Sequence, residues 1–494
     1  MAAGCESTVF ISKDPRKLGK VYSAGAAQAV DACEVSDASS VNVRFSMLDN
    51  NNPPAPIKVG TRLPGLEVKI PESFSISDIE FLPLPGEIDK QGYLFPAPDV
   101  TCTSDADCTA PFTCGALIEA VGSSGDPEVD VKVCKAPVSV QIDQVAADPL
   151  RFTRDGDAKV SHKYLLLFSN GSDIFGLDPE RGISQRERSS DADDERIPAA
   201  LSFLTRLATV AGLDDGESSS ACVGYFYGEG ELSLAYLPDG VGVDDCFKNV
   251  RAGEGLSEGV RLALEDVRST SNVGARATWS VLNKASEAFD APSGSRKLHV
   301  VILTDGRDNG SRPGDELDAI LGNLVENEII VDVVQLDYPG SDAEDLMEPA
   351  PSKRFRAGPV DNLARLACAT GGSYQYVPRP DGLVAAFDAI ANRASGEYEF
   401  EAQVPDLDGL PDGAYRLATT MRVTLGRASD SVEYAVRAQG SSQPDQRLTL
   451  FKRGNECNVG DRLPSDCVCR EGLNNAGECA GPGSEEPAAD TTAP

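Results

Sequence analysis

Two polar stretches stand directly after two long apolar runs of the chain. Thr304-Asp305-Gly306 follows the run at 300–303, and Asn170-Gly171-Ser172 follows the run at 163–169. Apolar runs of this length are typical of strands buried on both faces of a parallel sheet. Such sheets bind ligands at the carboxyl ends of their strands. The carboxylate, amide and hydroxyl oxygens gathered there are of the kind that hold Mg²⁺ or Ca²⁺.

These two strand ends resemble the von Willebrand factor type A (VWA) domain. In that family one strand ends in D-x-S-G-S, a later strand ends in a T-D-G turn, and a threonine comes from the loop before a helix. The resemblance implies Thr278 as that threonine, because it ends the stretch Gly274-Ala-Arg-Ala-Thr278 just before a helix predicted over residues 278–289. The resemblance implies a divalent cation that ligands reach at this edge of the sheet.

The first of these motifs departs from the family pattern. Phe168 stands where the first aspartate belongs and Asn170 replaces the first serine, whereas Ser172 and Asp305 keep the family's residue types. With one carboxylate missing, a divalent cation would be only half neutralised in a partly dehydrated pocket. The resemblance therefore implies a degenerate site of Asn170, Ser172, Thr278 and Asp305, which binds Mg²⁺ or Ca²⁺ weakly or not at all.

The strength of this site depends on its neighbours in the sequence. Asp308 and Asn309 follow the T-D-G turn closely enough to supply a replacement oxygen. If they do not, the double substitution Phe168→Asp and Asn170→Ser is expected to raise the affinity for the cation, because it restores the family's ligands.

The elements that must position these loops alternate between strand and helix over residues 163–395. This pattern predicts an α/β fold, a doubly wound, mostly parallel VWA sheet with one antiparallel edge hairpin. Period-two alternation before and after it predicts β-rich, sandwich-like flanks, and two cysteine clusters predict small disulfide-rich modules. The expected segments are an N-terminal anchor or linker at 1–40, a β-rich domain at 41–100, a Cys-rich module at 101–137 and a β linker at 138–160. The VWA domain follows at 161–396, then a second β-rich domain at 397–453, a second Cys-rich module at 454–480 and a disordered tail at 481–494.

The two β-rich flanks are expected to pack together. The segments at 138–142 and 398–404 stand at the two boundaries of the VWA domain, and the ends of an inserted domain usually lie close together. Strands with one apolar face also need a partner sheet, and the segment 397–453 contains only four of them.

Thirteen cysteines favour an oxidising compartment, with zinc binding as the alternative. Short loops close at the least entropic cost, so each cluster of four is expected to pair within itself, and Cys222 is expected to bridge to Cys246. Cys33 and Cys368 remain, either as a bridge or with Cys368 as a buried free thiol. The two clusters are Cys102, Cys108, Cys114 and Cys134, and Cys457, Cys467, Cys469 and Cys479. Asp105 and Asp107, within the first cluster, belong either to a solvated turn or to a calcium site.

The first residues resemble the end of a bacterial lipoprotein signal peptide, in which a cysteine after small residues is lipidated. Met-Ala-Ala-Gly-Cys5 fits this pattern, and Cys5 is also the residue that makes the cysteine count odd. The alternative is a chance Gly-Cys pair. An exported protein of the cell envelope, in the outer membrane or periplasm, or of the cell surface is expected, with membrane contact only through this anchor.

Composition and motifs exclude several classes of function. A formal charge of −33 disfavours nucleic acids and anionic lipids as partners. The sequence lacks H-E-x-x-H and a P-loop, so no enzyme activity is expected. His299 stands inside the central apolar strand, where a packed, hydrogen-bonded core residue is expected, and His162 has no evident nucleophile beside it.

The sequence thus predicts a binding or adhesion protein that meets a protein partner through the loops at the carboxyl edge of the VWA sheet. A structural envelope lipoprotein with a vestigial pocket is the main alternative. A metal-dependent enzyme accessory subunit is a third possibility, which the cysteine clusters argue against.

Overall fold

The structure is a computed structural model, and the elements below are taken from the residues that it describes. These are 19–23, 28–29, 40–49, 74–81, 90–97, 99–116, 132–141, 148–151, 154–155, 158–159, 161–170, 177–178, 183–184, 190–191, 194–211, 220–227, 231–234, 246–249, 258–269, 277–288, 296–306, 308, 311, 317–336, 359, 361–378, 380–393, 397–407, 409–410, 413–419, 421–427, 430–438, 448–452, 456–457, 468–471 and 477–480.

The segment before the central domain is built of strands. In chain order these are β1 Gly19–Ser23, β2 Gln28–Ala29, β3 Ser40–Asp49, β4 Phe74–Phe81, β5 Gly92–Pro96, β6 Thr113–Ala116, β7 Lys132–Val138, β8 Asp148–Arg151, β9 Arg154–Asp155 and β10 Ala158–Lys159.

The central domain alternates strands and helices. Its strands are β11 Ser161–Ser169, β12 Leu177–Asp178, β13 Ile183–Ser184, β14 Ser220–Tyr227, β15 Glu231–Leu234, β16 Lys248–Asn249, β17 Arg296–Thr304, β18 Ile329–Leu336 and β19 Tyr374–Val377. Its helices are α1 Arg196–Ala211, α2 Glu258–Ser269, α3 Thr278–Ala288, α4 Leu317–Glu326, α5 Asp361–Ala369 and α6 Leu383–Arg393.

The chain then returns to strands. These are β20 Glu397–Gln403, β21 Gly413–Thr419, β22 Met421–Arg427, β23 Asp430–Ala438, β24 Leu448–Lys452, β25 Glu456–Cys457, β26 Val468–Glu471 and β27 Gly477–Ala480.

The sheet of the central domain has the strand order β15-β14-β11-β17-β18-β19, with β16 paired to the edge of β14. The five strands from β14 to β19 are parallel, and β15 is antiparallel. The central strands β11, β17 and β18 carry apolar side chains to both faces because helices cover both. The fold class predicted from the sequence is confirmed, including the antiparallel edge hairpin.

Alternate residues of each strand feed two separate cores. Tyr164, Leu166 and Phe168 belong to the core under α1, α2 and α6. Leu165 and Leu167 belong to the core under α3, α4 and α5. Because side chains alternate between the two faces along each strand, this division also determines which face the residues at the carboxyl edge point to.

The flanking strands form two antiparallel layers that combine both ends of the chain. One sheet runs β4-β22-β23-β1-β3-β20-β8, with β2 on β3, and its single parallel pair is β1 with β23. The other runs β24-β21-β5-β7-β6. Because β20 pairs with β3 and β8, and Gln141 pairs with Gln403, the expected packing of the two flanks is confirmed. The segment boundaries remain a prediction.

The five-stranded sheet also contacts the central domain. Arg416 on β21 is fully buried, and its guanidinium lies 5.5 Å from the ring centroid of Tyr376 on the edge strand β19. Asp99 stands 3.5 Å from the same guanidinium. A buried arginine that has both an aromatic face and a carboxylate is well satisfied, so this contact holds the small sheet against the VWA-like edge.

Three disulfides follow the pairing expected from cysteine spacing. Cys102 bonds to Cys114, Cys108 to Cys134, and Cys222 to Cys246. The sulfurs of Cys102, Cys108 and Cys134 lie close enough to suggest a metal cluster, but a cysteine in a disulfide has no thiolate to offer zinc. The bridges indicate folding in an oxidising compartment.

The remaining cysteine predictions fall largely outside the described part of the chain. Cys5, Cys33 and Cys467 lie outside it, as do the side chains of Cys368 and Cys457. Cys469 and Cys479 are directly opposite each other in the β26–β27 pair, although it was expected only that their cluster would pair within itself.

The first disulfide module is held by its own turn. The Asp107 carboxylate accepts hydrogen bonds from the backbone and hydroxyls of Thr103 and Ser104, and these bonds lower its pKa to about 2. Asp105 accepts the Cys114 N–H at 2.8 Å. Both carboxylates therefore act in a solvated turn, which favours that alternative over calcium binding.

Candidate functional site

The polar stretches predicted at two strand ends meet at one edge of the sheet. Strands β11 and β17 are neighbours, with Phe168 paired to Leu303. Asn170 and Asp305 each stand two residues further along, so both lie at the carboxyl edge, about one strand spacing apart. Asp305 is fully buried, and Gly306 after it has a φ of 146°, which L side chains rarely adopt. The T-D-G turn thus folds the chain sharply behind a buried carboxylate.

Asn170 is fixed by two hydrogen bonds. Its backbone N–H donates to the Phe226 carbonyl at 2.9 Å, which extends the pairing of β11 with β14. Its side-chain Nδ2 donates to the Val267 carbonyl at 3.0 Å, in the last turn of α2. The amide is fully buried, so its orientation is set by α2 rather than by solvent.

Thr278 begins α3 and is fully buried. Its Oγ1, and that of the equally buried Thr304, make no hydrogen bond to any residue in the described ranges. A buried hydroxyl left without a partner costs about 1–3 kcal/mol. Such a group in a native fold calls for an explanation, and a bound cation is one that fits oxygen donors.

The start of α3 is tied to the loop that follows Asp305. Asp308 accepts the Trp279 N–H at 3.0 Å and the Ser311 N–H at 3.1 Å, and Ser311 Oγ accepts the Ser280 N–H at 2.9 Å. The Ser311 hydroxyl donates back to Asp308. Both Asp308 oxygens accept hydrogen bonds, so this residue caps α3 and stabilises the loop, and its role as a replacement cation ligand stays a prediction.

Phe168 is part of the hydrophobic core. Its ring is fully buried and stacks on Phe387 of α6, with the centroids 6.3 Å apart. Where the family motif has a carboxylate, this chain therefore uses an apolar side chain to pack the sheet against a helix. Restoring an aspartate there would place a charge among apolar side chains, which corrects the expectation that Phe168→Asp simply adds a ligand.

This architecture is similar to VWA domains of known structure. The similar structures include a von Willebrand factor type A protein from Catenulispora acidiphila, with 15% identity over 57% of this chain and 66% of that chain, at a TM-score of 0.31. They include the mussel byssus proximal thread matrix protein 1 with a zinc-occupied MIDAS motif, with 12% identity over 48% and 49% of the two chains, at a TM-score of 0.31.

A third is the vWF domain of the type V pili tip protein Mfa5 from Porphyromonas gingivalis. It shares 10% identity over 47% of this chain and 94% of that chain, at a TM-score of 0.28. No family model matches the sequence, and no curated protein matches it either.

A second charged group surrounds the start of α1 on the VWA-like sheet. Asp191 accepts the backbone N–H groups of Glu195 and Arg196, and the fully buried Arg196 guanidinium lies 3.0 Å from it. Asp194 lies 3.1 Å from Arg196 and 3.6 Å from Arg268 of α2. Burial raises the pKa of Asp191 and lowers that of Arg196. The sequence signal for this group was an aspartate a few residues before a predicted helix.

The oxygen donors at the carboxyl edge are of the type that a hard divalent cation prefers, but together they carry little negative charge. Asp305, Thr278 and Thr304 present carboxylate and hydroxyl oxygens in buried positions. Mg²⁺ and Ca²⁺ prefer such ligands, but the second described carboxylate at this edge, Asp308, already accepts the Trp279 and Ser311 N–H groups. Ser172, the remaining predicted ligand, lies outside the described residues. The arrangement therefore fits a weakly held cation.

Proposed function

We propose that this chain is a binding protein that meets a protein partner at the carboxyl edge of its VWA-like sheet, with a weakly held divalent cation at Asp305. The observation that carries the proposal is the buried Thr278 hydroxyl, which has no hydrogen-bond partner in the described part of the chain and stands beside the loop of a buried carboxylate. A cation would satisfy that oxygen and neutralise Asp305.

The fixed geometry of the loops supports this proposal. Asn170 is held by α2, and the loop after Asp305 is held by the start of α3 through Asp308 and Ser311. A binding surface that is already ordered loses less conformational entropy when a partner docks. We therefore propose that these ordered loops form a binding surface.

We further propose that the protein works outside the cytoplasm, at the cell envelope or surface, anchored through a lipid on Cys5. The three disulfides support export, and the Gly-Cys start supports the anchor. Among the described helices, none is long and apolar enough to cross a membrane. Mass spectrometry of the protein purified from its own cells would show a diacylglyceryl mass on the Cys5 peptide, and an unmodified peptide would refute the anchor.

One observation favours the alternative of a structural envelope protein with a vestigial pocket. Phe168 packs in the hydrophobic core, where its ring stacks on Phe387. When one ligand position of a pocket serves core packing instead, the other ligand positions can also change without loss of the fold. This reading predicts no saturable cation binding.

Calorimetric titration with Mg²⁺ and with Mn²⁺ separates the two readings. We expect a dissociation constant on the order of 10⁻⁴–10⁻³ M, the range of weak extracellular cation sites. Thr278→Val and Asp305→Asn should abolish the heat of binding. Thr205→Val is the matched control, because the Thr205 hydroxyl is exposed on α1 and donates to the Leu201 carbonyl one turn earlier. Binding that survives Asp305→Asn would refute the proposed site.

A further inference from the structure

The two histidines of the chain lie together inside the VWA-like domain. His162 Nδ1 and His299 Nε2 are 2.9 Å apart although 137 residues separate them in sequence. They stand on the neighbouring strands β11 and β17, near the start of each. The pair is therefore at the amino edge of the sheet, opposite the candidate cation site.

The surroundings of the pair are closed and aromatic. His299 is buried and stacks on Tyr164 with the ring centroids 4.5 Å apart. His299 Nδ1 faces Asp332 on β18, 3.8 Å from its Oδ2. Tyr164 in turn meets Phe203 of α1 edge-on. Burial of this kind penalises a charged imidazole.

Asp332 already has a cationic partner. Its Oδ1 accepts hydrogen bonds from the Ser373 N–H and hydroxyl at 2.8 and 2.9 Å, and from the Arg393 guanidinium. Burial raises the pKa of Asp332, but Arg393, His299 and Ser373 together outweigh it, so the pKa lies well below its ordinary value. Asp332 and Arg393 therefore form a neutral pair before any proton reaches the histidines.

The other charged groups on this face also balance one another. Arg206 of α1 lies 3.6 Å from Asp388 of α6, which accepts the Ser202 hydroxyl as well. Lys163 projects to the opposite face, with its Nζ 5.0 Å from the Phe247 ring centroid.

The contact itself limits how many protons the pair can take. One hydrogen fits between His162 Nδ1 and His299 Nε2, donated by either ring. A first added proton keeps that hydrogen bond, because the rings can exchange donor and acceptor roles. A second added proton places two N–H groups and two positive charges against each other, so the contact between the two rings must open.

The contacts of His162, His299, Asp332 and Arg393 connect the point where the chain enters the domain with the point where it leaves. His162 is the second residue of β11, at the entry, and Arg393 is the last residue of α6, at the exit. Strands β8 and β20, just outside these points, pair with each other in the antiparallel sheet. Arg393 also donates to the Gly371 carbonyl at 3.1 Å, next to the start of β19.

We propose that the His162–His299 contact, with Asp332 and Arg393 behind it, is an acid-sensitive latch that holds the VWA-like domain to the antiparallel sheet. Above pH 7 the latch is closed. Below the ordinary histidine pKa of about 6.5, uptake of the second proton opens the contact and loosens the end of α6 and the start of β20. The unfolded chain binds two protons there and the closed fold at most one, so stability falls as pH falls, by up to tenfold in the unfolding constant per pH unit.

The direct test is a titration of the two imidazoles in the intact protein labelled with ¹⁵N-histidine. Because the chain has only two histidines, each ring is observed without overlap. A closed latch predicts one proton taken up while the rings remain coupled, and a second only as the contact signal is lost. Two independent titrations near the ordinary pKa, with the fold unchanged, would overturn the proposal.

Hydrogen exchange over residues 383–403 measures the expected loosening of the end of α6 and the start of β20. After correction for the chemical exchange rate, exchange there should rise at least several-fold from pH 7.5 to 5.5 in the natural protein. His162→Gln keeps a donor for His299 but cannot titrate, so its exchange should not change with pH. Val301→Ala, a core substitution on the same face, should raise exchange equally at both pH values. If exchange in His162→Gln rises from pH 7.5 to 5.5 as much as in the natural chain, the latch is rejected, whatever the cation titration shows.

Discussion

The backbone N–H of Trp279 lies 3.0 Å from Oδ2 of Asp308. This bond joins the helix that begins at Thr278 to the loop that follows Asp305. Thr278 and Asp305, the two proposed oxygen donors, are 27 positions apart in sequence and are thus held in one unit by Asp308.

Removal of that cap should weaken both the fold and the site. Asp308→Ala deprives the start of α3 of its acceptor and is expected to cost about 0.5–2 kcal/mol of unfolding free energy. Urea denaturation measures the loss. Asp308→Asn keeps an acceptor oxygen and should stay close to the natural stability. Equal losses for the two variants would show that charge, not capping, is the role of Asp308.

An aspartate at position 168 should destabilise the domain rather than improve the site. The Phe168 ring is buried against Phe387, and loss of a buried Phe side chain to Ala costs about 3–5 kcal/mol. A buried carboxylate adds to that cost. Thermal unfolding of Phe168→Asp beside Phe168→Leu tests this. An aspartate variant as stable as the leucine variant, and with tighter Mg²⁺ binding, would restore the simple ligand-replacement view.

The buried pair of Asp332 and Arg393 should make stability depend on acid. The folded pKa of Asp332 lies below its unfolded value of about 3.9, so the stability it adds is complete above that value and is lost as pH falls through the folded pKa. Arg393→Met leaves Asp332 buried without its main partner and should cost about 3–5 kcal/mol at neutral pH. It should also move the onset of acid unfolding to higher pH. An unchanged acid transition would show that Arg393 does not set the charge of Asp332.

The Cys222–Cys246 bridge should contribute through the unfolded chain. It closes a loop with a sequence separation of 24, which corresponds to about 3 kcal/mol in the chain-entropy model. The double variant Cys222→Ala and Cys246→Ala tests this by denaturant unfolding without reductant. Both sulfurs are fully buried, so a loss well above this value would mark the packing of the sulfurs as the larger contribution.

The apolar strands and their polar ends were predictable because the signal is local. Residues 300–303 and the turn at Thr304–Gly306 carry their own pattern, and so does the helix that ends before Gly212. The cysteine spacing likewise predicted that the first cluster would pair within itself and that Cys222 would bridge to Cys246, since short loops close at low entropic cost. The pairing of both flanks followed from the position of the domain between them.

The roles of single polar residues were not predictable in the same way. Asp308 seemed a cation ligand from its distance along the chain, but it caps a helix whose start is 30 positions earlier. The contact of His162 with His299 requires knowing that β11 and β17 are neighbours and in which register. Phe168 could be matched to a family position, but its packing on Phe387 depends on where α6 returns to the sheet.

The central claim is that a divalent cation is held at the carboxyl edge by Asp305 and Thr278. Paramagnetic broadening by Mn²⁺, read on methyl-labelled protein, locates the ion directly. The account predicts that Ala277, Ile302 and Leu303 broaden first and that Asp305→Asn removes the effect. Broadening centred on the Asp105–Asp107 turn, or none at saturating Mn²⁺, would contradict it.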